Sequence, residues 1–479
     1  MKKILCFMLA ALMVFALCAC GGDGEGGFGG GKGDKAEEGG TFQVGFGRTD
    51  ITPNTPMPMG GYGQTDKRLH ANVLDKIYAT ALAITDEAGE TVILFHTDLI
   101  SSVQHEDVRL QVSQATGVPQ DHIVLGSTHT HSSVDQGNAK SNAWKGTFVQ
   151  RCVEAAEAAM ADRSDAEIYI GSEKTEYMNF VRHYLMNDGT YSGDNFGETG
   201  SGYKDHAEPN DPELQVVKFL RGTDDDDIKD IILTNYQGHP CITGGIDKTD
   251  MSADYIGGTR TYIEYQTKDH FIFFLGASGN QNVKSYLPSD PKPPTDHNAY
   301  GMQLGQIVEK AMENMTKLEN TKISCTEYVF TGKTDHSQDH KLEEAKLVKA
   351  YYDKTDRATA TPYAKEMGFT SVYDASGTIT KAGLPETIDM PIMAISIGDL
   401  GFVAAPYEMF AAHGMYIKEN SPCAMTIVST CSNGGYGYIP TNLAFDYVCY
   451  ESTTGKFARG TGDELAAKYV ELLEAHTQG

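Results

Sequence analysis

The stretch His122-Ile-Val-Leu-Gly-Ser-Thr-His-Thr-His131 joins a short apolar, β-branched run to two histidines one residue apart. The run reads as a buried strand. In an extended chain alternate side chains share a face, so this reading points His129 and His131 the same way. A bare His-x-His leaves three readings open: a metal site, a hydrogen-bonded structural pair, or coincidence. The same arrangement recurs along the chain. Val92-Ile-Leu-Phe95 runs into His96-Thr-Asp98, and Ile231-Ile-Leu-Thr-Asn-Tyr-Gln237 into Gly238-His-Pro240. Phe271–Leu275 leads to Gly276-Ala-Ser-Gly-Asn-Gln-Asn282. Phe402-Val-Ala404 ends at Ala405-Pro-Tyr-Glu408, and Thr426-Ile-Val428 leads to Cys431-Ser-Asn-Gly-Gly-Tyr-Gly-Tyr438. Ligands of α/β folds collect outside the carboxyl ends of strands, so these endings suggest one shared site.

Helical periodicity alternates with the strands. Leu304, Val308, Ala311, Met312 and Met315 fall on one face, as do Leu465, Tyr469, Leu472 and Leu473. Phe148–Ala161 is rich in Ala and Glu and predicts a further helix. The pattern predicts an α/β fold, a mixed β-sheet core covered by helices; residues 41–479 are long enough for one large domain or two smaller ones, and the absence of a Pro-rich linker favours a single large domain. Asp224-Asp-Asp-Asp227 lies between two strand candidates and reads as a solvated hairpin turn rather than a calcium loop. Lys341–Met367 reads as an inserted helical segment, either a lid or padding.

The first 40 residues read as targeting and tether. Lys2-Lys3 precedes an apolar core, Ile4–Ala19, too short for a comfortable membrane span. Leu17-Cys-Ala-Cys-Gly21 resembles the lipobox of bacterial lipoproteins. That resemblance implies a signal peptide at 1–19, a lipidated Cys20, and an exported protein anchored to the outer face of the cell membrane. Residues 20–40 are nearly all Gly and charged, and form a flexible tether on this reading. A net charge of −26 without a basic stripe argues against nucleic-acid binding. The six remaining cysteines, from Cys152 to Cys449, show no Cys-x-x-Cys spacing, which disfavours a zinc ribbon or a thioredoxin-type site. Their pairing and the oligomeric state stay open.

Two histidines and a carboxylate in an exported protein, with no thiolate cluster, suit Zn2+. No His-Glu-x-x-His helix motif and no Gly-x-Ser-x-Gly elbow occurs. Gly60-Gly-Tyr-Gly63 and Gly434-Gly-Tyr-Gly437 lack the lysine of a phosphate loop and read as turns.

Val44-Gly-Phe-Gly-Arg-Thr-Asp-Ile-Thr-Pro53 followed by Met59-Gly-Gly-Tyr-Gly63 resembles the amino-terminal signature of the neutral/alkaline non-lysosomal ceramidases. Thr97-Asp-Leu99, Gly126-Ser-Thr-His-Thr-His-Ser132, Gly238-His-Pro240, Pro406-Tyr-Glu408 and Ser432-Asn-Gly-Gly-Tyr-Gly-Tyr438 follow in the family's order. The resemblance implies zinc ligands at His129, His239, Glu408 and Tyr438. It makes His131 the second, substrate-facing histidine, a candidate for proton transfer. Asn179-Phe-Val-Arg182 resembles the family's arginine-bearing segment, so Arg182 or Tyr438 would stabilise an oxyanion. Asp98 would orient a ligand or contact substrate, or else cap local backbone. Two departures stand out. Where the family carries a serine in a Gly-Asp-Val-Ser-Pro segment, this chain reads Gly279-Asn-Gln-Asn-Val283, which puts Asn282 at the serine's place. After Tyr438 the sequence is too short for the family's carboxy-terminal immunoglobulin-like domain. The implied activity is zinc-dependent hydrolysis of an N-acyl amide by metal-activated water, with a lipid or small amide as substrate. The alternatives are another extracellular amide or ester, and a non-catalytic lipid- or solute-binding lipoprotein.

Overall fold

The computed structural model describes residues 40–62, 67–193, 202–222 and 228–478. The signal segment, Cys20, nearly all of the tether and the run Asp224–Asp227 lie outside them. Every strand expected from an apolar run is present. Ile123–Ser127 forms one edge of a nine-stranded mixed sheet. From the other edge the order is His270–Leu275, Ile231–Tyr236, Glu213–Arg221, Ser164–Lys174, Gln43–Asp50, Tyr78–Thr85, Thr91–Thr97 and Ile123–Ser127. Thr316–Leu318 also pairs with Ser164–Lys174. Pairing is parallel only in the outermost pair at each edge, and antiparallel between. Each parallel pair has the helical crossover it requires, Tyr255–Thr267 at one edge and His105–Thr116 at the other.

A second sheet, Ile323–Lys333, Thr387–Ile397, Leu400–Ala404 and Met425–Ser429, stacks on the first. Leu82, Ile84, Val124, Val217 and Phe274 of the large sheet share one core with Ile395, Phe402 and Ile427 of the small one. Helices cover the outer faces. Trp144, Phe148 and Ala155 of Asn142–Ala161 pack on Ala81 and Phe95, and Leu304 and Val308 of His297–Met312 on Val216 and Ile232. Leu465, Tyr469 and Leu473 of Thr461–Thr477 pack on the small sheet. Met315 falls beyond the end of its helix, because the apolar spacing runs on into the loop that precedes Thr316–Leu318. Gly40–Gly479 is thus one unit, a mixed sheet core covered by helices, with a second sheet inside the core that periodicity alone did not reveal.

The inserted segment is helical as expected. Leu342–Tyr352, Arg357–Glu366 and Val372–Ala382 interrupt the hairpin of the small sheet and carry an apolar cluster of their own, including Val348, Ala364 and Phe369. Val372–Ala382 docks on the short helix Tyr450–Thr454, with Tyr373 edge-on to Tyr450 at 5.5 Å between ring centroids. Gly377 makes that approach possible, since a Cβ there would stand 2.3 Å from the Thr453 carbonyl oxygen. No helix among the described residues is long and apolar enough to cross a membrane. Cys152, Cys241, Cys325, Cys423, Cys431 and Cys449 are free thiols.

Candidate metal centre

The strand endings converge. His129, His131 and His239 each bring a ring nitrogen to within 4.8 Å of the other two. The ring centroids lie 4.7–5.1 Å apart. Glu408 completes the group, with Oε2 3.2 Å from His129 Nε2 and 3.9 Å from His239 Nε2.

His129 and His131 do not lie on one extended segment. The strand ends at Ser127, and His129 adopts φ 62°, a left-handed conformation that a residue with a side chain rarely takes. Hydrogen bonds from Thr128 N to Thr97 O and from His129 N to Leu99 O hold that turn. The two rings meet edge-on, 5.1 Å between centroids, because the chain bends, not because it alternates. Strain of this kind is characteristic of functional sites.

His129 Nδ1–H donates to the Ile100 carbonyl at 2.6 Å, and His239 Nδ1–H to the Ser278 carbonyl at 3.0 Å. Such bonds orient the ring and aim Nε2 into the cluster, as in metal-binding histidines generally. His239 Nε2, both ring nitrogens of His131 and Glu408 Oε2 are buried with no hydrogen-bond partner. Buried polar atoms are seldom left so. Burial and the neighbouring cations His129, Arg182 and Arg68 hold His131 well below the ordinary histidine range, and His239 is depressed in the same way. Burial also disfavours a proton on His129, but the Cys431 sulfur and the Glu408 carboxylate beside it outweigh burial and hold its pKa well above that range. Two neutral imidazoles, His131 and His239, with the Glu408 carboxylate and unpartnered lone pairs in one buried spot, fit a divalent cation, which would take the place of the proton on His129.

Tyr438 is fixed by the main chain. Glu408–Met409 and Tyr438–Ile439 form a two-residue parallel pair with Glu408 opposite Tyr438. The Tyr438 hydroxyl lies 3.4 Å from Arg182 Nη2, and the guanidinium also sits over its ring at 5.7 Å. Arg182 is buried and donates to the Gly279 carbonyl at 2.8 Å. Asn282 neighbours the cluster through an isolated bridge to His239 and the strand pair with Phe180. On the open side, the left-handed Gly61 (φ 94°) leaves no room for a side chain, since a Cβ would fall 2.4 Å from the His131 ring. Tyr62 meets that ring edge-on at 5.1 Å. Arg68 fastens this loop with bonds to the carbonyls of Gly60, at 2.6 Å, and of His131, at 2.5 Å.

Asp98 stands apart from this group. Its Oδ2 accepts from Tyr78 N and from Arg260 Nη2, both at 2.9 Å, so its carboxylate caps backbone and pairs with a buried arginine. Sequence reasoning missed Tyr450 and Glu451. Tyr450 packs edge-on against Tyr438, 5.9 Å between centroids, and burial with the nearby Glu408 and Glu451 pushes its pKa up to about 12. Glu451 takes two bonds from Arg182, at 2.8 and 2.5 Å. No motif surrounds either residue, and Glu451 is 269 positions from Arg182 in sequence.

No protein-family model matches the chain. Solved structures do. A neutral ceramidase from Pseudomonas aeruginosa superposes with a TM-score of 0.66 at 16% identity, over 90% of this chain and 73% of that one. A ceramidase complexed with C2 gives 0.67 at 15% identity, over 91% and 75%. The fold that the sequence motifs implied, that of the neutral ceramidases, is the fold of this chain.

Proposed function

We propose that the protein is a zinc-dependent hydrolase of N-acyl amides, of which a ceramide-like lipid is one candidate substrate. The observation that carries the reading is the convergence of His129, His131, His239 and Glu408, with His239 Nε2, both ring nitrogens of His131 and Glu408 Oε2 buried and without a hydrogen-bond partner. His129, His239 and Glu408 would hold the ion, with Tyr438 beside them. Zinc at such a site supplies Lewis-acid polarisation of a carbonyl and makes water more acidic.

The chain's own groups supply the rest. His131, neutral in its buried setting, takes a proton from the attacking water at a ring nitrogen and returns it to the amine as the C–N bond breaks. The Arg182 guanidinium and the Tyr438 hydroxyl, already in contact, present N–H and O–H donors to negative charge developing on the carbonyl oxygen. Asn282 carries no acidic proton and serves to orient substrate, so no covalent acyl intermediate is invoked. Gly61 and Tyr62 exclude water from one side of His131. Attachment of the exported domain to a membrane through a lipid on Cys20 belongs to the same proposal, because it would bring the site to lipid amides.

Asn282 at the family serine's place favours one second reading, a lipid-binding protein without turnover. Metal analysis of the purified protein, followed by incubation with ceramide and a panel of N-acyl amides, separates the two. Hydrolysis that disappears in His129→Ala supports the enzyme. A zinc-loaded protein that cleaves none of them, and whose His129→Ala form binds lipid equally well, refutes it.

A further inference from the structure

Behind Arg182 lies a row of buried charges that the proposed chemistry does not use. Arg182, Glu451, His183 and Glu208 are 3, 0, 1 and 8% exposed. Glu451 Oε1 takes both bonds from Arg182, and Oε2 lies 2.8 Å from His183 Nε2. His183 Nδ1 is 2.8 Å from the Tyr447 hydroxyl, which donates to Glu208 Oε1 at 2.8 Å. Thr441 donates to the same carboxylate at 3.1 Å.

Counting protons assigns the charges. Tyr447 has one hydroxyl proton and gives it to Glu208, so it accepts from His183 Nδ1–H. Glu451 has no proton to give, so His183 Nε2–H donates to it. His183 is therefore an imidazolium, and the row reads plus, minus, plus, minus from Arg182 to Glu208. The electrostatics agree in direction: burial opposes a charged Glu451, but His183 and Arg182 hold its carboxyl well below the usual range. His183, Cys449 and Glu451 also form a group of metal-ligand type. At 2.8 Å the Nε2 and Oε2 atoms are hydrogen-bonded to each other, which leaves no space for an ion between them.

The backbone around Glu451 is built for this geometry. Val448 adopts φ 53°, a conformation that is a genuine outlier for a β-branched residue, at the junction of the helices Asn442–Tyr447 and Tyr450–Thr454. The bend brings Tyr447 and Glu451 to opposite edges of the same imidazole. The inserted helices brace it from outside through Gly377 and Tyr373.

We infer that Glu451, backed by protonated His183, is a positioning residue that holds the Arg182 guanidinium against Tyr438 and so orients the oxyanion donors of the site. An unpaired guanidinium would rotate toward the other carboxylate of the site, Glu408, whereas a guanidinium held by two bonds from behind keeps its forward N–H groups aimed. The inference rests on the hydrolase reading, and its test keeps the two apart. Glu451→Gln, Glu451→Asp and Tyr447→Phe are prepared in the full zinc-loaded chain. Zinc content, melting temperature, kcat and KM on the amide panel, and crystal structures are measured.

Glu451→Gln should lower kcat about 100-fold, the scale of losing one oxyanion donor, with KM and zinc content little changed. Glu451→Asp, which keeps the charge, should recover about tenfold of that loss, and Tyr447→Phe should show a smaller fall of about fivefold. Where Glu451→Gln does not fold, Tyr447→Phe decides alone. Unchanged kcat in the variant that decides, or losses of kcat that only track losses of zinc or of folded protein, would overturn the inference. Wild-type protein that hydrolyses no amide overturns the hydrolase reading instead. The crystal structure of the deciding variant then tests the positioning: loss of the Arg182–Tyr438 contact supports it, and retention overturns it.

Discussion

Glu408 and Tyr438 face each other across a parallel pair of only two residues each, at the ends of separate connections leaving the small sheet. Their register ties a carboxylate beside the histidine cluster to a hydroxyl beside Arg182. The histidine cluster and the Arg182–Tyr438 pair are therefore tied through one backbone contact, and variants of one half should report on the other.

Zinc should stabilise the wild-type protein by about 2.7 kcal/mol at a free concentration 100-fold above its Kd. His239→Ala, which removes a ring nitrogen from the cluster, should bind less than one ion per chain and melt at the same temperature with and without zinc. Thermal melts with parallel metal analysis check this. A zinc-dependent melting temperature in His239→Ala would count against the assignment.

Asp98→Asn should damage the fold rather than the site. Asp98 and Arg260 are both buried and paired at 2.9 Å, and breaking such a pair costs about 3–5 kcal/mol. Denaturant unfolding should show that loss, while zinc content and KM of the surviving folded protein stay at wild-type values. A raised KM at unchanged stability would restore Asp98 as a substrate contact.

Acid stability carries a signature of His96. Burial lowers its pKa to about 3. The unfolded chain protonates this group near pH 6.5 and the folded chain does not, so the unfolded state binds more protons between these values. Stability should therefore fall as pH drops from about 6.5 toward 3, at up to about 1.4 kcal/mol per pH unit from this residue. His96→Phe, packed against Phe273 and Phe274, should show a shallower decline in urea midpoints across that range.

Gly377→Ala should act at a distance. Its Cβ would press on the Thr453 carbonyl, at a cost of about 1–3 kcal/mol for overpacking, and would push the helix that carries Tyr450 and Glu451. We expect a lower melting temperature and a fall in kcat with zinc content intact. Full activity in a destabilised Gly377→Ala would show that the inserted helices support the fold alone.

What the sequence disclosed, and what it hid, follows from the range of the interactions. Strands such as Thr91–Thr97 and His270–Leu275 announce themselves because a buried strand is a local run of apolar, β-branched residues. The strand ends mark His129, His239 and Glu408 for the same reason. Stacking of Phe402 and Ile427 on Phe274 and Val124 left no trace, since apolar periodicity records burial without naming the partner. The left-handed turn at His129 was invisible because its hydrogen bonds run to Thr97 and Leu99 some 30 positions earlier. Arg260 and Glu451, which decide what Asp98 and Arg182 do, sit in stretches with no pattern of their own.

The rings of His129 and His239 are steered by the carbonyl groups of Ile100 and Ser278, not by side chains. Any amino acid at those two positions would supply the same oxygen. The aim of the two imidazoles is thus encoded in the path of the chain rather than in the side chains of Ile100 and Ser278. A centre aimed this way depends on the course of the backbone more than on the side chains at those two positions.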